Sequence, residues 1–252
     1  MHVNFTSQTS SDGVVDRGFT IGDVPGVLWS PASARPWAPL LLMGHGGGLH
    51  KRSPGLVARA RQSVVRDGFH VAAIDAPGHG DRTRSQQDQR WVDEMLRARE
   101  MRASLAPILA PFSFSLAERA VPEWRMTIDA LQALPDIDTD APIGYSGMTI
   151  ASAIGIPLAV AEPRIRAAIF GGVFVYDALL EAARKVTVPT EFLLPWDDGE
   201  IDRVAGLALF DAFGSKDKTL HAFPGSHFHV PTERIDTRFF ARQLAPPAKD
   251  PA

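Results

Sequence analysis

Two short apolar runs, each closed by a glycine-rich turn and followed by other elements of a repeating pattern, limit what this chain can fold into. Leu40-Leu41-Leu42-Met43 leads into Gly44-His45-Gly46-Gly47-Gly48, and His70-Val71-Ala72-Ala73-Ile74-Asp75 into Ala76-Pro77-Gly78-His79-Gly80. Neither run alternates polar with apolar residues, so both faces of each strand belong in a core, as in a parallel sheet. Between them, Ser53-Pro54 supplies an N-cap and a proline for the first helical turn, and Gly68 closes a helix over Leu56–Asp67.

The same alternation continues. Strands are expected at Ala141–Gly147, Ala167–Val173, Thr190–Trp196 and Lys218–Phe223, with helices near Glu118–Leu134, Thr149–Ala161, Ile201–Phe213 and Thr232–Leu244. Ahead of them, Val14–Ile21 and Val24–Trp29 flank a Gly22-Asp23 turn and read as an antiparallel lead-in. The expected architecture is a single α/β domain over residues 1–252, a mostly parallel central sheet flanked by helices. Functional residues in such sheets gather at the carboxyl ends of the strands. Residues 83–121 break the alternation, charged at first and then apolar with prolines, and are expected to form a small helical lid over those ends. The Pro/Ala tail from Pro246 is expected to fray.

Composition removes other classes. With 26 Lys and Arg against 29 Asp and Glu the formal charge is −3, which gives no basic excess for nucleic-acid binding. No apolar run approaches the roughly 18–20 residues of a membrane span. Cysteine is absent, so no disulfide, thiol nucleophile or thiolate metal site exists. The polar N-terminus lacks a secretory pattern, and the expected location is the cytoplasm.

Three strand-end segments carry the chemistry. The Gly44–Gly48 turn offers backbone N–H groups to a developing oxyanion. It lacks the Lys-Ser/Thr pair of a phosphate loop and the spacing of a dinucleotide fingerprint. Gly144-Tyr145-Ser146-Gly147-Met148-Thr149-Ile150-Ala151 joins a strand to a helix. Asp197-Asp198 and Ser226-His227 close the last two strands.

On the Gly-rich turn, the Asp75–Gly80 turn, the strand-to-helix elbow and these last two segments, the chain resembles the α/β-hydrolase superfamily, particularly its esterase and dienelactone-hydrolase-like branches. The likeness runs from Pro39 to Leu244. It implies a strained elbow with a nucleophile flanked by small residues at −2 and +2. Two registers compete. Ser146 follows Gly144 but has Met148 at +2, whereas Thr149 has Gly147 at −2 and Ala151 at +2 and opens the following helix directly. Thr149 is preferred, although the family normally carries Ser there and the β-methyl of Thr restricts χ1.

The resemblance further implies His227 as base, Asp198 as the acid that orients it (Asp197 in reserve), and an oxyanion hole of Gly46 or Gly47 with Ile150, or with Gly147 in the Ser146 register. No cofactor and no metal are implied. His227-x-His229 has the look of a metal pair but lacks a third ligand. His45, Asp75 and His79 are read as turn braces, His50 as a lesser pocket candidate, and Trp91, Trp124 and Phe112 to Phe114 as packing, with the lining of an apolar acyl pocket as the alternative. Asp197 is also read as a helix cap.

The expected function is hydrolysis of an ester, lactone or related acyl bond in a small molecule, through an acyl-enzyme. A thioesterase or lyase on the same triad, or a hydrolase-fold protein that has lost turnover and binds a small molecule, are the alternatives. A homodimer is left open.

Overall fold

The computed structural model describes residues 2–33, 38–231 and 238–245. The expected lead-in strands are present as β2 (Val14–Ile21) and β3 (Val24–Pro31), joined through Gly22 in the left-handed region. An additional strand, β1 (Asn4–Ser11), pairs antiparallel with β2. Every residue of β1 is exposed, so no apolar periodicity marks it. Its signal is the two-residue turn Asp12-Gly13, both at positive φ, which suits a tight hairpin.

The parallel part comprises β4 (Leu40–Met43), β5 (His70–Ile74), β6 (Ile143–Ser146), β7 (Ile165–Gly171), β8 (Thr190–Pro195) and β9 (Lys218–Phe223). Across the sheet the order is β1-β2-β3-β5-β4-β6-β7-β8-β9. β3 meets β5 antiparallel, and from β5 to β9 all pairings are parallel. The chain leaves β4 for β5 on one side and returns to β6 on the other. The strand order therefore reverses at β4, and a crevice opens beyond the carboxyl ends of β4 and β6.

β4 shows why the sheet is a double-sided core. Leu40 and Leu42 pack into one cluster with Tyr145, Phe170 and Trp124, while Leu41 and Met43 pack into a second with Leu56, Phe239 and Phe240. Helices α1 (Pro54–Gln62) and α7 (Phe239–Gln243) contribute to the second cluster. The first is covered by α3 (Ala106–Gln132), α4 (Ile150–Ala161), α5 (Asp177–Ala183) and α6 (Arg203–Ala212). A π-helical turn, Ser63–Asp67, continues α1 to Gly68, which ends it in the left-handed conformation.

Three elements differ from expectation. The segment 83–121 holds α2 (Gln86–Glu100), but its second part is no separate helix. It is the first half of α3, which runs unbroken through Pro111 and Pro122 for 27 residues. Each proline forfeits one helical N–H bond, and the burial of Phe112, Leu116, Trp124, Ile128 and Leu131 compensates. Helix α5, between β7 and β8, was not expected. The last helix begins at Phe239 among the described residues; the tail from Pro246, and residues 232–237 of the expected Thr232–Leu244 helix, lie outside them. No helix among the described residues is long and apolar enough to cross a membrane.

Helix α4 seats on the sheet by a close approach at Gly155. A Cβ there would stand 2.0 Å from Cε1 of Tyr145, which is fully buried. Gly155→Ala is expected to destabilise the fold by about 1–3 kcal/mol through overpacking, despite the helix preference of alanine. Gly199→Ala, with open space around it, should stay within about 0.5 kcal/mol of the parent. Urea unfolding of the two variants measures both values.

Candidate active site

The turn between β6 and α4 is a sharp elbow centred on Thr149, which sits at φ 56° and ψ −122°. Positive φ is a genuine outlier for a β-branched residue, and holding it costs on the order of 1–3 kcal/mol. Hydrogen bonds hold it in place. Thr149 N–H donates to the Gly171 carbonyl at 3.0 Å, and Gly147 N–H to Ile169 at 3.0 Å. The buried Ser152 hydroxyl lies 2.8 Å from the Gly147 carbonyl and 2.9 Å from that of Gly171, and accepts from Gly171 N–H at 2.8 Å. Ser152 was not singled out from sequence; its only signal is a lone polar residue in the otherwise apolar start of α4.

Small residues are required where the elbow closes on itself. A Cβ on Gly147 would lie 2.5 Å from Cβ of Ala151, and one on Gly44 would lie 2.5 Å from the same atom. These are the −2 and +2 neighbours of Thr149. Ser146 is the last residue of β6, paired with Met43 and Ile169, and its carbonyl accepts from Gly44 N–H at 2.9 Å. Ser146 lines the same cavity as Thr149 but stands before the turn.

The Gly-rich turn after β4 lies against the elbow. Gly47 N–H points at Thr149 Oγ1 at 3.4 Å, and a Cβ on Gly46 would stand 3.1 Å from that oxygen. Ile150 is the first residue of α4, where backbone N–H groups have no partner within the helix and the dipole favours negative charge. Gly46 and Gly47 thus lie against the hydroxyl, and Ile150 follows it in the chain.

The shape of this turn depends on His45. Its Nδ1 lies 2.9 Å from the Gly46 carbonyl and its Nε2 accepts the Ala76 N–H at 3.0 Å, so the ring is neutral with the proton on Nδ1. Burial pushes its pKa down from 6.5 to about 4. Beside it, the fully buried Asp75 accepts from Lys51 N–H at 2.8 Å, Lys51 Nζ at 2.6 Å and Asp81 N–H at 3.0 Å. Burial opposes the charge, but these bonds hold the Asp75 carboxyl below the usual carboxylate range. His79 Nδ1 lies 3.0 Å from the Pro77 carbonyl, and its ring stands 5.4 Å from that of His45. His50 accepts the Arg52 N–H at its Nδ1.

His227 Nδ1 lies 2.6 Å from Asp198 Oδ2, which also accepts the His227 backbone N–H at 2.6 Å. Asp198 Oδ1 accepts from Glu200 and Ile201 N–H at 2.8 and 2.9 Å. Burial works against the Asp198 charge, yet the backbone N–H groups of His227, Glu200 and Ile201, together with the His227 ring, hold its pKa below the ordinary value. Asp197 is exposed, and its backbone N–H bonds to Gly225. The helix-capping role expected of Asp197 falls instead to Asp202, whose Oδ1 accepts from Val204 and Ala205. The Phe228 ring, not singled out from sequence, lies 3.9 Å from the His227 ring, centroid to centroid.

Thr149, His227, Gly46, Gly47 and Ile150 all line one cavity of about 1210 Å³. Met95 and Leu96 of α2 and Leu109 and Phe112 of α3 wall one side of it. Trp91 packs edge-on against Phe112, whereas Trp124 lies in the core against Tyr145. His229 also faces the cavity, but no group of three metal-ligating residues occurs among the described residues.

The depressed pKa of His45 makes stability depend on pH. Above about 6.5 the ring is neutral in both states and its contribution is complete. As pH falls toward 4, the unfolded chain takes up a proton that the folded chain refuses, and stability is lost. The advantage of the parent over a His45→Asn variant in urea unfolding should shrink by about 2 kcal/mol between pH 7.5 and pH 5. A pH-independent difference would contradict this.

No family model matches the sequence, and no curated protein matches it. Solved structures do. A PEG-bound cold-adapted esterase from an Arctic intertidal metagenomic library is 29% identical with TM-score 0.78, covering 97% of this chain and 100% of its own. An acetyl xylan esterase from Paenibacillus is 13% identical with TM-score 0.66 over 96% of this chain and 88% of its own. Dienelactone hydrolase from Anabaena variabilis is 20% identical with TM-score 0.61 over 94% and 98%. With the sheet order, the elbow and the Gly-rich turn already described, these likenesses identify the fold of this chain as that of the α/β-hydrolases.

Proposed function

We propose that the protein is an ester hydrolase with Thr149 as nucleophile, His227 as general base and Asp198 as the acid that orients it. One observation carries this reading: a hydroxyl raised on a strained elbow, 3.4 Å from a glycine N–H, shares a cavity with a carboxylate-bound imidazole. The cold-adapted esterase and the acetyl xylan esterase lend support by their named activities.

The roles follow from charge. A threonine hydroxyl is a weak nucleophile at neutral pH, so a base must take its proton as it attacks. Asp198 accepts from His227 Nδ1–H, which leaves Nε2 as the basic nitrogen and stabilises the imidazolium once it forms. Thr149 Oγ1 adds to the ester carbonyl while Nε2 takes the proton. The carbonyl oxygen becomes an oxyanion, held by N–H groups of Gly47 (or Gly46) and Ile150. The tetrahedral adduct collapses, the carbon–alkoxy bond breaks, and the alcohol leaves with the proton from His227. Water, deprotonated by the same nitrogen, then cleaves the acyl-threonine and restores the hydroxyl. In this reading α2 and the first half of α3, across residues 83–121, form the lid, and Ser146 shapes the pocket.

The β-methyl of Thr149 favours a second reading. A branched side chain at positive φ has few open rotamers, and its methyl crowds the path of attack. The same site would then bind small esters or lactones with weak or no turnover.

Hydrolysis of p-nitrophenyl acetate and butyrate separates these readings. His227→Ala and Thr149→Ala are each expected to lower kcat by about 10³-fold or more. Ser146→Ala should keep most activity, and Thr149→Ser should keep or raise it. Loss of activity in Ser146→Ala with retention in Thr149→Ala would move the nucleophile to Ser146. Ligand binding without turnover in the parent would favour the second reading.

A further inference from the structure

The cavity has an unusual balance of charge. The chain as a whole carries a formal charge of −3. The cavity wall nevertheless presents four arginines, Arg59, Arg66, Arg84 and Arg99, against a single carboxylate, Glu200, among the described residues. Three of these arginines are already engaged. Arg99 forms a two-point ion pair with Glu200 at 2.8–2.9 Å, and Arg66 pairs with Asp67 at 2.6 Å. Arg84 Nε donates to the Gly78 carbonyl.

Arg59 differs. It has no carboxylate partner among the described residues. It stands in α1, the helix that follows the Gly44–Gly48 turn. Its Nη1 reaches back to within 3.7 Å of where a Cβ on Gly55 would stand, one turn nearer that end of the helix. Arg59 is exposed on the wall of this cavity. A guanidinium on the cavity wall without a counter-ion is free to pair with a carboxylate supplied by a ligand, and its fork of donors suits that group.

We propose that Arg59 is a specificity-determining residue, and that the substrates of this site are esters carrying a second, free carboxylate. The inference rests on the ester-hydrolase reading above and names its substrate class. The surplus of positive charge in the cavity would draw such anions in, and the guanidinium would hold the far carboxylate while the ester carbonyl lies at the elbow.

The test compares matched pairs of esters. On the acyl side, mono-p-nitrophenyl glutarate is set against its methyl-capped diester. On the alcohol side, 4-acetoxybenzoate is set against its methyl ester. In at least one pair, the parent should favour the anionic member in kcat/KM by roughly tenfold or more, the scale of a hydrogen bond to a charged group. The pair that shows the preference tells which side of the ester carries the carboxylate. Arg59→Gln, which keeps a good helix former at that position, should bring the ratio near one, as should high salt in the parent. Equal ratios in parent and variant for both pairs, with esters still hydrolysed, would overturn the inference while leaving the hydrolase reading intact.

Thermal unfolding with free glutarate covers the case without turnover. Stabilisation of the parent, and none of Arg59→Gln, would uphold the carboxylate site while the hydrolase reading fails. No stabilisation of either protein, together with no turnover, would overturn both.

Discussion

The site depends on one backbone constraint, the positive-φ conformation forced on Thr149 between β6 and α4. An ordinary turn would start the helix without lifting this side chain clear of the sheet. The strained one sets the hydroxyl beside Gly47 N–H, directly ahead of the first residue of α4. The strain persists because the surroundings over-determine it. β7 holds the elbow through the carbonyls of Ile169 and Gly171, and Ser152 ties the first turn of α4 to the same strand. Glycine at 147 and alanine at 151 leave no atoms in the way.

The Gly-rich turn has no such strain to fix it, and polar bonds from the neighbouring crossover do that work. The His45 ring spans from the Gly46 carbonyl to Ala76 N–H. Lys51 ties the far end of the turn to Asp75, whose carboxylate also holds Asp81. Two strand-end turns, from β4 and β5, are thereby fastened to each other, and the N–H groups of Gly46 and Gly47 inherit their position from that bracing. A neutral imidazole is essential to the arrangement, since a charged one would donate where it now accepts. On the other side of the cavity, three backbone N–H groups keep Asp198 ionised against the cost of burial, which lets it hold the His227 ring in one tautomer.

Much of this was legible in the sequence, for identifiable reasons. Uninterrupted apolar strands at Leu40–Met43 and His70–Ile74 reveal a sheet covered on both faces, and small residues around Thr149 mark where the elbow closes. Asp198, rather than Asp197, is the carboxylate at the imidazole because the turn after β8 buries the second of the pair and exposes the first. What escaped the sequence reading has no local pattern. β1 is exposed throughout, so only its hairpin turn betrays it. Pro111 reads as a break ahead of the helix expected near Glu118–Leu134, yet tertiary burial carries α3 through it as well as through Pro122. Ser152 and Phe228 draw their importance from residues distant in sequence or from ring contact, and nothing in their neighbours announces it.

The most direct measurement of the central claim is covalent labelling of the parent protein with a fluorophosphonate, followed by mass spectrometry that fragments the labelled peptide to locate the adduct. The account predicts one phosphonyl group, on Thr149. An adduct on Ser146, or none on either hydroxyl while esters are still hydrolysed, would contradict it.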